Sequence, residues 1–401
     1  MARMSKPSCL ITTPSSLGLH FPNPTEKTGA IPAAARSTMS APPELPSMSN
    51  DVLLIFFFTE PNDEWISRVK AKHPGLDIRW VNVLNPDHTF KKPESLGDEV
   101  WKGVTLLCPF IQPPPAELLS TVRFVQLPSA GVDRWPGHPT YENEKVVFCS
   151  GNGAHAPQIA EWVIASWLSH QHHFTRYTEQ MKTGQWEPPT RSTVQDSTAA
   201  RMGVLGYGAI GRQCARVAHA MGMEVYAYTR SEKATPEKRQ DDSYCVPGTG
   251  DPDGLVPSKW FHGASKDAIN NFLAQDLDIV VLSLPLTKET KGLLSHEQFE
   301  ILSKKKTFVC NIARGGHLDQ TALIQALESG KIRGAALDVT DPEPLPSDHA
   351  LWKAPNLLIT PHVSWQTQSL MPRILDILEL NLDRLGAGQP LINVVNRQLH
   401  Y

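Results

Sequence analysis

Gly203-Val204-Leu205-Gly206-Tyr207-Gly208-Ala209-Ile210-Gly211-Arg212, followed by Glu224-Val225-Tyr226-Ala227-Tyr228, reads as strand, tight glycine turn, helix and second strand. That order is the opening βαβ unit of a dinucleotide-binding domain. Each glycine answers a separate demand. Gly206 permits the tight turn, Gly208 lets the backbone approach a pyrophosphate, and Gly211 lets helix and strand pack closely. Tyr207 lies between the first two and is counted with this cradle. The amides of Ala209 and Ile210 open a helix whose positive end faces the phosphates. Ile210, Cys214, Val217, Ala218 and Met221 recur at the helical period, which gives that helix one apolar face.

Working outward, the 401 residues suffice for two domains with full cores. A net charge of −3 leaves no basic footprint, so neither nucleic acid nor a membrane surface is an expected partner. Cys9, Cys108, Cys149, Cys214, Cys245 and Cys310 lack CxxC spacing; they read as free thiols of a reducing compartment and offer no metal site. No apolar run approaches the ~18 residues of a membrane span, so a soluble protein is expected. Residues 1–48, rich in Pro, Ser and Thr, read as a disordered tail. A cytoplasmic location is expected, with a mitochondrial presequence in that tail as the alternative.

Beyond the tail, Asp51 to Phe58 is a short apolar run that suits a strand covered on both faces. Alternating patterns then predict a helix over 63–72, strands at 77–83, 103–108, 124–127 and 146–149, and a helix near 116–122. These make a first doubly wound α/β domain over 49–160. A long helix from Pro157 links it to the dinucleotide-binding domain, set at 161–363. His170-Gln171-His172-His173 on that helix lacks a further ligand at helical spacing and reads as surface histidines. Residues 231–265 form a long insertion, rich in Gly, Pro and Asp from Ser243 to Gly254. Strands resume at 277–282, 307–311, 334–338 and 357–359, and helices are expected at 266–275, 295–302 and 320–329. Residues 364–401 hold an amphipathic helix, Leu370 to Leu385, expected to return to the first domain.

Three polar residues follow successive strands: Arg314, Glu343 and His362. Ligands of open α/β sheets bind at such strand ends. Arg314 suits a bidentate grip on a carboxylate. His362 suits proton exchange with an alcohol or carbonyl oxygen. Glu343, hydrogen-bonded to His362, would raise the histidine above its reference of ~6.5 and keep it protonated for ketone reduction.

Over roughly residues 50–400 the chain resembles the D-isomer-specific 2-hydroxyacid dehydrogenase family. The resemblance rests on Leu127-Pro128-Ser129-Ala130-Gly131-Val132-Asp133, the glycine turn, Leu284-Pro285-Leu286-Thr287 with Thr290, Asn311-Ile312-Ala313-Arg314-Gly315, Ala336-Leu337-Asp338-Val339, Pro342-Glu343-Pro344 and Thr360-Pro361-His362-Val363. It implies a flavodoxin-like substrate domain split around a central Rossmann domain, and a homodimer through the cofactor domain. The family's catalytic Arg, Glu and His fall on Arg314, Glu343 and His362, and its carboxylate-binding loop on Ala130 and Gly131. The cofactor contacts it implies are Leu284, Pro285, Thr290, Ile312, Ala313, Arg314, Asp338 and His362, with Ala313 and Asp338 on the nicotinamide carboxamide; a cap of the following turn is the lesser reading of Asp338. Trp365 would wall the substrate pocket or pack between the domains.

Two departures matter. His155 stands where the family usually has Asn, before the linking helix. Thr229-Arg230-Ser231 closes the βαβ unit, where NAD-specific members carry a carboxylate. An arginine with small hydroxyls accepts a 2′-phosphate, so NADP(H) is expected as the preferred cofactor, with NAD(H) possible. The activity implied is interconversion of a small 2-keto acid, such as glyoxylate or hydroxypyruvate, with its D-2-hydroxy acid. The alternative is a nucleotide-sensing scaffold similar to the corepressors that share this fold.

Overall fold

The computed structural model describes residues 48, 50–87, 89–110, 112–188 and 194–399. The tail expected over 1–48 therefore lies outside the described residues except for Met48. Two parallel sheets organise the rest, and both are covered on their two faces.

The first sheet contains β1 (Val52–Phe57), β2 (Asp77–Asn82), β3 (Leu106–Cys108), β4 (Phe124–Gln126) and β5 (Val147–Cys149), in the order β2-β1-β3-β4-β5. This is the flavodoxin-like order. Leu53, Leu54, Ile55 and Phe57 on β1 are fully buried, which explains why the strand is an unbroken apolar run. The expected 63–72 helix is present as Asp63–Lys72, capped by the Asn62 side chain on the Trp65 amide. Near 116–122 only a short 3-10 turn forms, Ala116–Leu119, after three consecutive prolines.

The second sheet holds β6 (Arg201–Leu205), β7 (Glu224–Thr229), β8 (Lys259–His262), β9 (Ile279–Leu282), β10 (Phe308–Asn311), β11 (Gly334–Leu337) and β12 (Leu357–Ile359). Its order, β12-β11-β10-β9-β6-β7-β8, is that of a Rossmann domain with one further strand, reversing direction at β6. The expected insertion over 231–265 needs correction here. Its last part, Lys259–His262, is the third Rossmann strand, paired in parallel with β7. Its middle is an anchored loop, described below.

The linking helix Ala156–Gln171 packs along the glycine-turn helix Ala209–Ala220, and Ile159 and Ala160 already share a core with Met202, Val204 and Cys214. Ile159 and Ala160, expected in the first domain, thus pack with the second sheet. His170 is not a surface residue. Its ring lies on Phe308 of β10 at 4.8 Å, and burial pushes it down to about 4. A second helix, Phe174–Thr183, follows with no buried residue.

The C-terminal helix Leu370–Gly386 returns to the first sheet, as its pattern requires. Ile374, Ile377, Leu378 and Leu382 are fully buried against Leu53, Ile55 and Trp65. Arg68 and Lys72 bind Glu379 at 2.9 and 2.7 Å, and His73 meets Asp383 at 2.9 Å. Among the described residues no helix is long and apolar enough to cross a membrane, and no group of side chains could hold a metal ion. Cys108, Cys149, Cys214 and Cys310 are buried free thiols, and Cys245 is an exposed one.

Candidate active site

The glycine turn meets the demands its sequence implies. Gly206 has φ +98°, and a Cβ there would stand 2.6 Å from the Ser283 carbonyl oxygen. A Cβ on Gly211 would stand 2.2 Å from the Gly206 oxygen, whereas Gly208 faces open space. The first and third glycines are thus imposed by packing, and the second leaves room for a phosphate at the helix N-terminus. The cradle therefore fits a dinucleotide pyrophosphate.

Tyr207 presents only its backbone to that space. Its side chain is buried, donates from Oη to Asp251 Oδ2 at 2.8 Å, and packs edge-on against Trp260. The loop that receives it is the middle of the expected insertion. Arg212, also buried, donates to the carbonyls of Asp251 and Arg239 and faces Asp241 at 3.2 Å. The Gly250 amide donates to Gln213 Oε1 at 2.6 Å. On its other side the loop reaches the first domain: the Tyr244 amide donates to Asn393 Oδ1, and a Cβ on Gly153 would collide with the Tyr244 carbonyl.

Thr229 ends β7 with its hydroxyl donating to the Ser231 carbonyl at 2.7 Å, and Arg230 and Ser231 are exposed beside it. Arg230 lies near enough to Glu289 to help hold that carboxyl below its ordinary value, after the Thr287 hydroxyl and a backbone amide. Across the cleft, Thr290 braces the Leu284–Thr290 loop by accepting from the Thr287 amide and donating to the Pro285 carbonyl.

Arg314, Glu343 and His362 follow β10, β11 and β12, which are adjacent in the sheet. The Asn311 side chain, fully buried, accepts from the Ala313 amide at 3.0 Å and donates to the Arg314 carbonyl at 2.9 Å. Ile312 and Ala313 are buried in the same turn. The two ring nitrogens of His317 lie 3.0 and 3.2 Å from the carbonyls of Arg314 and Pro285; burial lowers its pKa, and the neutral ring donates to one of the two. Neither Asn311 nor His317 was singled out from sequence as a positioning residue.

His362 Nδ1 and Glu343 Oε2 stand 2.9 Å apart, and Glu343 Oε1 accepts from the Thr340 amide at 3.0 Å. Burial raises the Glu343 pKa, but the His362 and Thr340 hydrogen bonds outweigh it and hold the carboxyl below its ordinary value. An ionised carboxylate only accepts, so Nδ1 carries the proton and Nε2 is left for a substrate oxygen. His362 itself sits at φ +53°, a left-handed conformation rare outside glycine. Asp338 maintains it there. This buried carboxylate accepts from the Thr360 hydroxyl, the Val363 amide, and the amide and hydroxyl of Ser364. Its contacts are those of the turn-capping reading. Trp365 Nε1 donates to the His362 carbonyl at 2.8 Å, and its ring packs against the cores of both domains.

Arg314 reaches the other domain. Its Nε donates to Asp133 Oδ1 at 3.1 Å and its Nη2 to Asp133 Oδ2, while Nη1 donates to the Ala313 carbonyl at 2.6 Å. Ala130 and Gly131 lie on the same loop as Asp133, where the Ser129 hydroxyl donates to the Gly131 carbonyl at 2.6 Å. A cationic guanidinium, a carboxylate–imidazole pair and a helix N-terminus facing open space are the parts that a dinucleotide-dependent reaction of an anionic substrate requires.

Comparison with known proteins narrows that class. The model of the D-isomer specific 2-hydroxyacid dehydrogenase NAD-binding domain matches residues 164–247 and 256–364. A hydroxypyruvate reductase of Blautia hydrogenotrophica is 30% identical over 244 residues, 60% of this chain and 68% of that protein. Glyoxylate/hydroxypyruvate reductase A of Salmonella typhimurium is 26% identical over 339 residues, 82% of this chain and 98% of the relative. The structure of a D-isomer specific 2-hydroxyacid dehydrogenase from Xanthobacter autotrophicus, in complex with NADPH and MES, superposes with a TM-score of 0.65 at 28% identity, covering 88% of this chain and all of that one. The chain belongs to the D-isomer-specific 2-hydroxyacid dehydrogenase family.

Proposed function

We propose that this protein is an NADPH-dependent reductase of small 2-keto acids, glyoxylate or hydroxypyruvate, giving the D-2-hydroxy acid. The observation that carries the reading is the 2.9 Å His362–Glu343 contact beside Arg314 at three adjacent strand ends. Bound NADPH supplies the hydride. Arg314 and the amides of Ala130 and Gly131 hold the substrate carboxylate. His362 gives the proton on Nε2 to the carbonyl oxygen, and Glu343 stabilises the imidazolium that does so. Asn311, through Ala313 and Arg314, and Asp338, through the 360–364 turn, fix where those groups stand. Thr229, Arg230 and Ser231 favour the 2′-phosphate, in line with the NADPH carried by the Xanthobacter relative. NAD(H) remains the weaker alternative.

A homodimer fits the exposed apolar side chains that follow the linking helix: Phe174 is 56% exposed, Met181 80% and Trp186 95%. Such a cluster is what a partner subunit would cover. An absorbance screen of keto acids against NADPH and NADH tests the enzymatic reading. Rapid NADPH oxidation with glyoxylate or hydroxypyruvate supports it, and cofactor binding without turnover of any keto acid would instead favour the scaffold.

A further inference from the structure

Asp133 has no role so far beyond meeting Arg314, and the manner of that meeting is informative. A guanidinium carries five N–H donors in one rigid plane, grouped as a side edge of Nε and Nη2 and an end edge of Nη1 and Nη2. Asp133 takes both bonds of the side edge. The Ala313 carbonyl takes one Nη1 hydrogen. One hydrogen on Nη1 and one on Nη2 are left by these three bonds; with the Ala313 carbonyl on the Nη1 hydrogen that faces Cδ, the remaining two make up the end edge. The approach is close enough to exclude any side chain at residue 131, where a Cβ would lie 2.2 Å from Arg314 Nη2 and 2.5 Å from Asp133 Oδ2.

The Asp133 carboxylate is charged when it does this. Burial raises its pKa, but the hydrogen-bonded guanidinium outweighs burial, His362 adds a little, and the net shift is downward. The pair also joins a loop of the first domain to a strand end of the second. Arg314 is thus held from both sides of the cleft.

We infer that Asp133 is a positioning residue for the reduction: by occupying the side edge of Arg314 it aims the end edge at the substrate carboxylate. This rests on the reductase reading above. A competing carboxylate would act in the opposite sense, since removing it would free Arg314 and tighten substrate binding. The sign of one kinetic change therefore decides the matter.

Asp133→Asn keeps the side-chain size, removes the charge and sets an amide N–H against the guanidinium. The expected result is a KM for the keto acid raised about tenfold or more, with kcat within about threefold. NADPH affinity, followed by nucleotide fluorescence, is expected to stay at the wild-type value. In an Arg314→Lys background, where the planar fork is gone, the same Asp133 substitution is expected to change KM by less than about twofold. An unchanged or lowered KM in the single variant overturns the proposal, and so does an undiminished effect in the Lys background. Wild-type protein that reduces no keto acid with either cofactor removes the reductase reading and this proposal together. Active wild type with a normal Asp133→Asn KM removes only the proposal.

Discussion

His362–Glu343 joins two loops of one sheet, whereas Arg314–Asp133 joins one domain to the other. Both pair an ionised carboxylate with a nitrogen base at similar exposure, yet they depend on different parts of the fold. The first follows from β11 and β12 lying side by side, Ala335 opposite Leu357 and Leu337 opposite Ile359, with Asp338 capping the 360–364 turn that follows β12. It is complete as soon as the second sheet forms. The second exists only while residues 130–133 of the first domain stand over the end of β10. The proposed proton partner is thus built into the cofactor domain, and the proposed carboxylate grip is conditional on where the two domains sit.

Breaking the first pair is expected to have the largest effect. His362→Ala removes the proposed general acid and should lower kcat by ~10²–10⁴. Its KM and NADPH affinity are expected to stay close to wild type, because the cross-domain pair is untouched; near-normal turnover would take His362 out of the mechanism. Arg314→Ala breaks the second pair and should fall mainly on KM, with kcat/KM down about 10²-fold from the loss of charged hydrogen bonds. Equal losses in kcat for both variants would erase the distinction between the pairs.

Acid titration separates the pairs from the scaffold that holds them. His155 and His170 are both pushed down to about 4, in each case chiefly by burial. Their folded values lie below the unfolded reference of ~6.5, so the unfolded chain binds more protons between the two, and stability falls as pH drops from about 6.5 to 4. The loss is on the order of a few kcal/mol by urea unfolding, and His170→Phe should flatten the slope by about one proton. Asp133 and Glu343 have depressed folded values, so their contributions persist down to the ordinary carboxylate range and disappear only below it. A slope that starts only below about pH 4 would contradict the histidine assignment. The smallest effect is expected from Arg230→Asp, which touches neither pair. It should move preference from NADPH toward NADH about tenfold and leave the keto-acid KM alone. Wild type that already prefers NADH would reject the 2′-phosphate assignment.

Much of this was legible in the chain. Ile279–Leu282 and Gly334–Leu337 are fully buried and apolar throughout, and Phe308–Asn311 is so up to its final Asn, so the polar residues past β10 and β11, Arg314 and Glu343, stand out; His362 instead follows the half-exposed Leu357–Ile359. Strand β8 leaves no sequence signal because it is an edge strand, half exposed, and Lys259-Trp260-Phe261-His262 carries neither an apolar run nor a clean alternation. The helix Phe174–Thr183 buries nothing, so no core-facing stripe announced it. The place of His170 is not legible locally, because its partner, Phe308, comes from another element. Asp133 closes the Leu127–Asp133 stretch, yet its proposed role depends on a contact 181 residues away in the chain.

The loop between β7 and β8 has a consequence for anyone wishing to shorten it. The family pattern passes from 247 to 256 without the intervening stretch, which invites its excision as surplus. Cutting out 248–255 would delete Asp251, and with it the acceptor for the Tyr207 hydroxyl and one acceptor for the Arg212 guanidinium, both buried under the glycine turn. Each orphaned group costs roughly 1–3 kcal/mol. A trimmed chain would therefore need Tyr207 and Arg212 replaced in the same step by apolar residues of similar bulk.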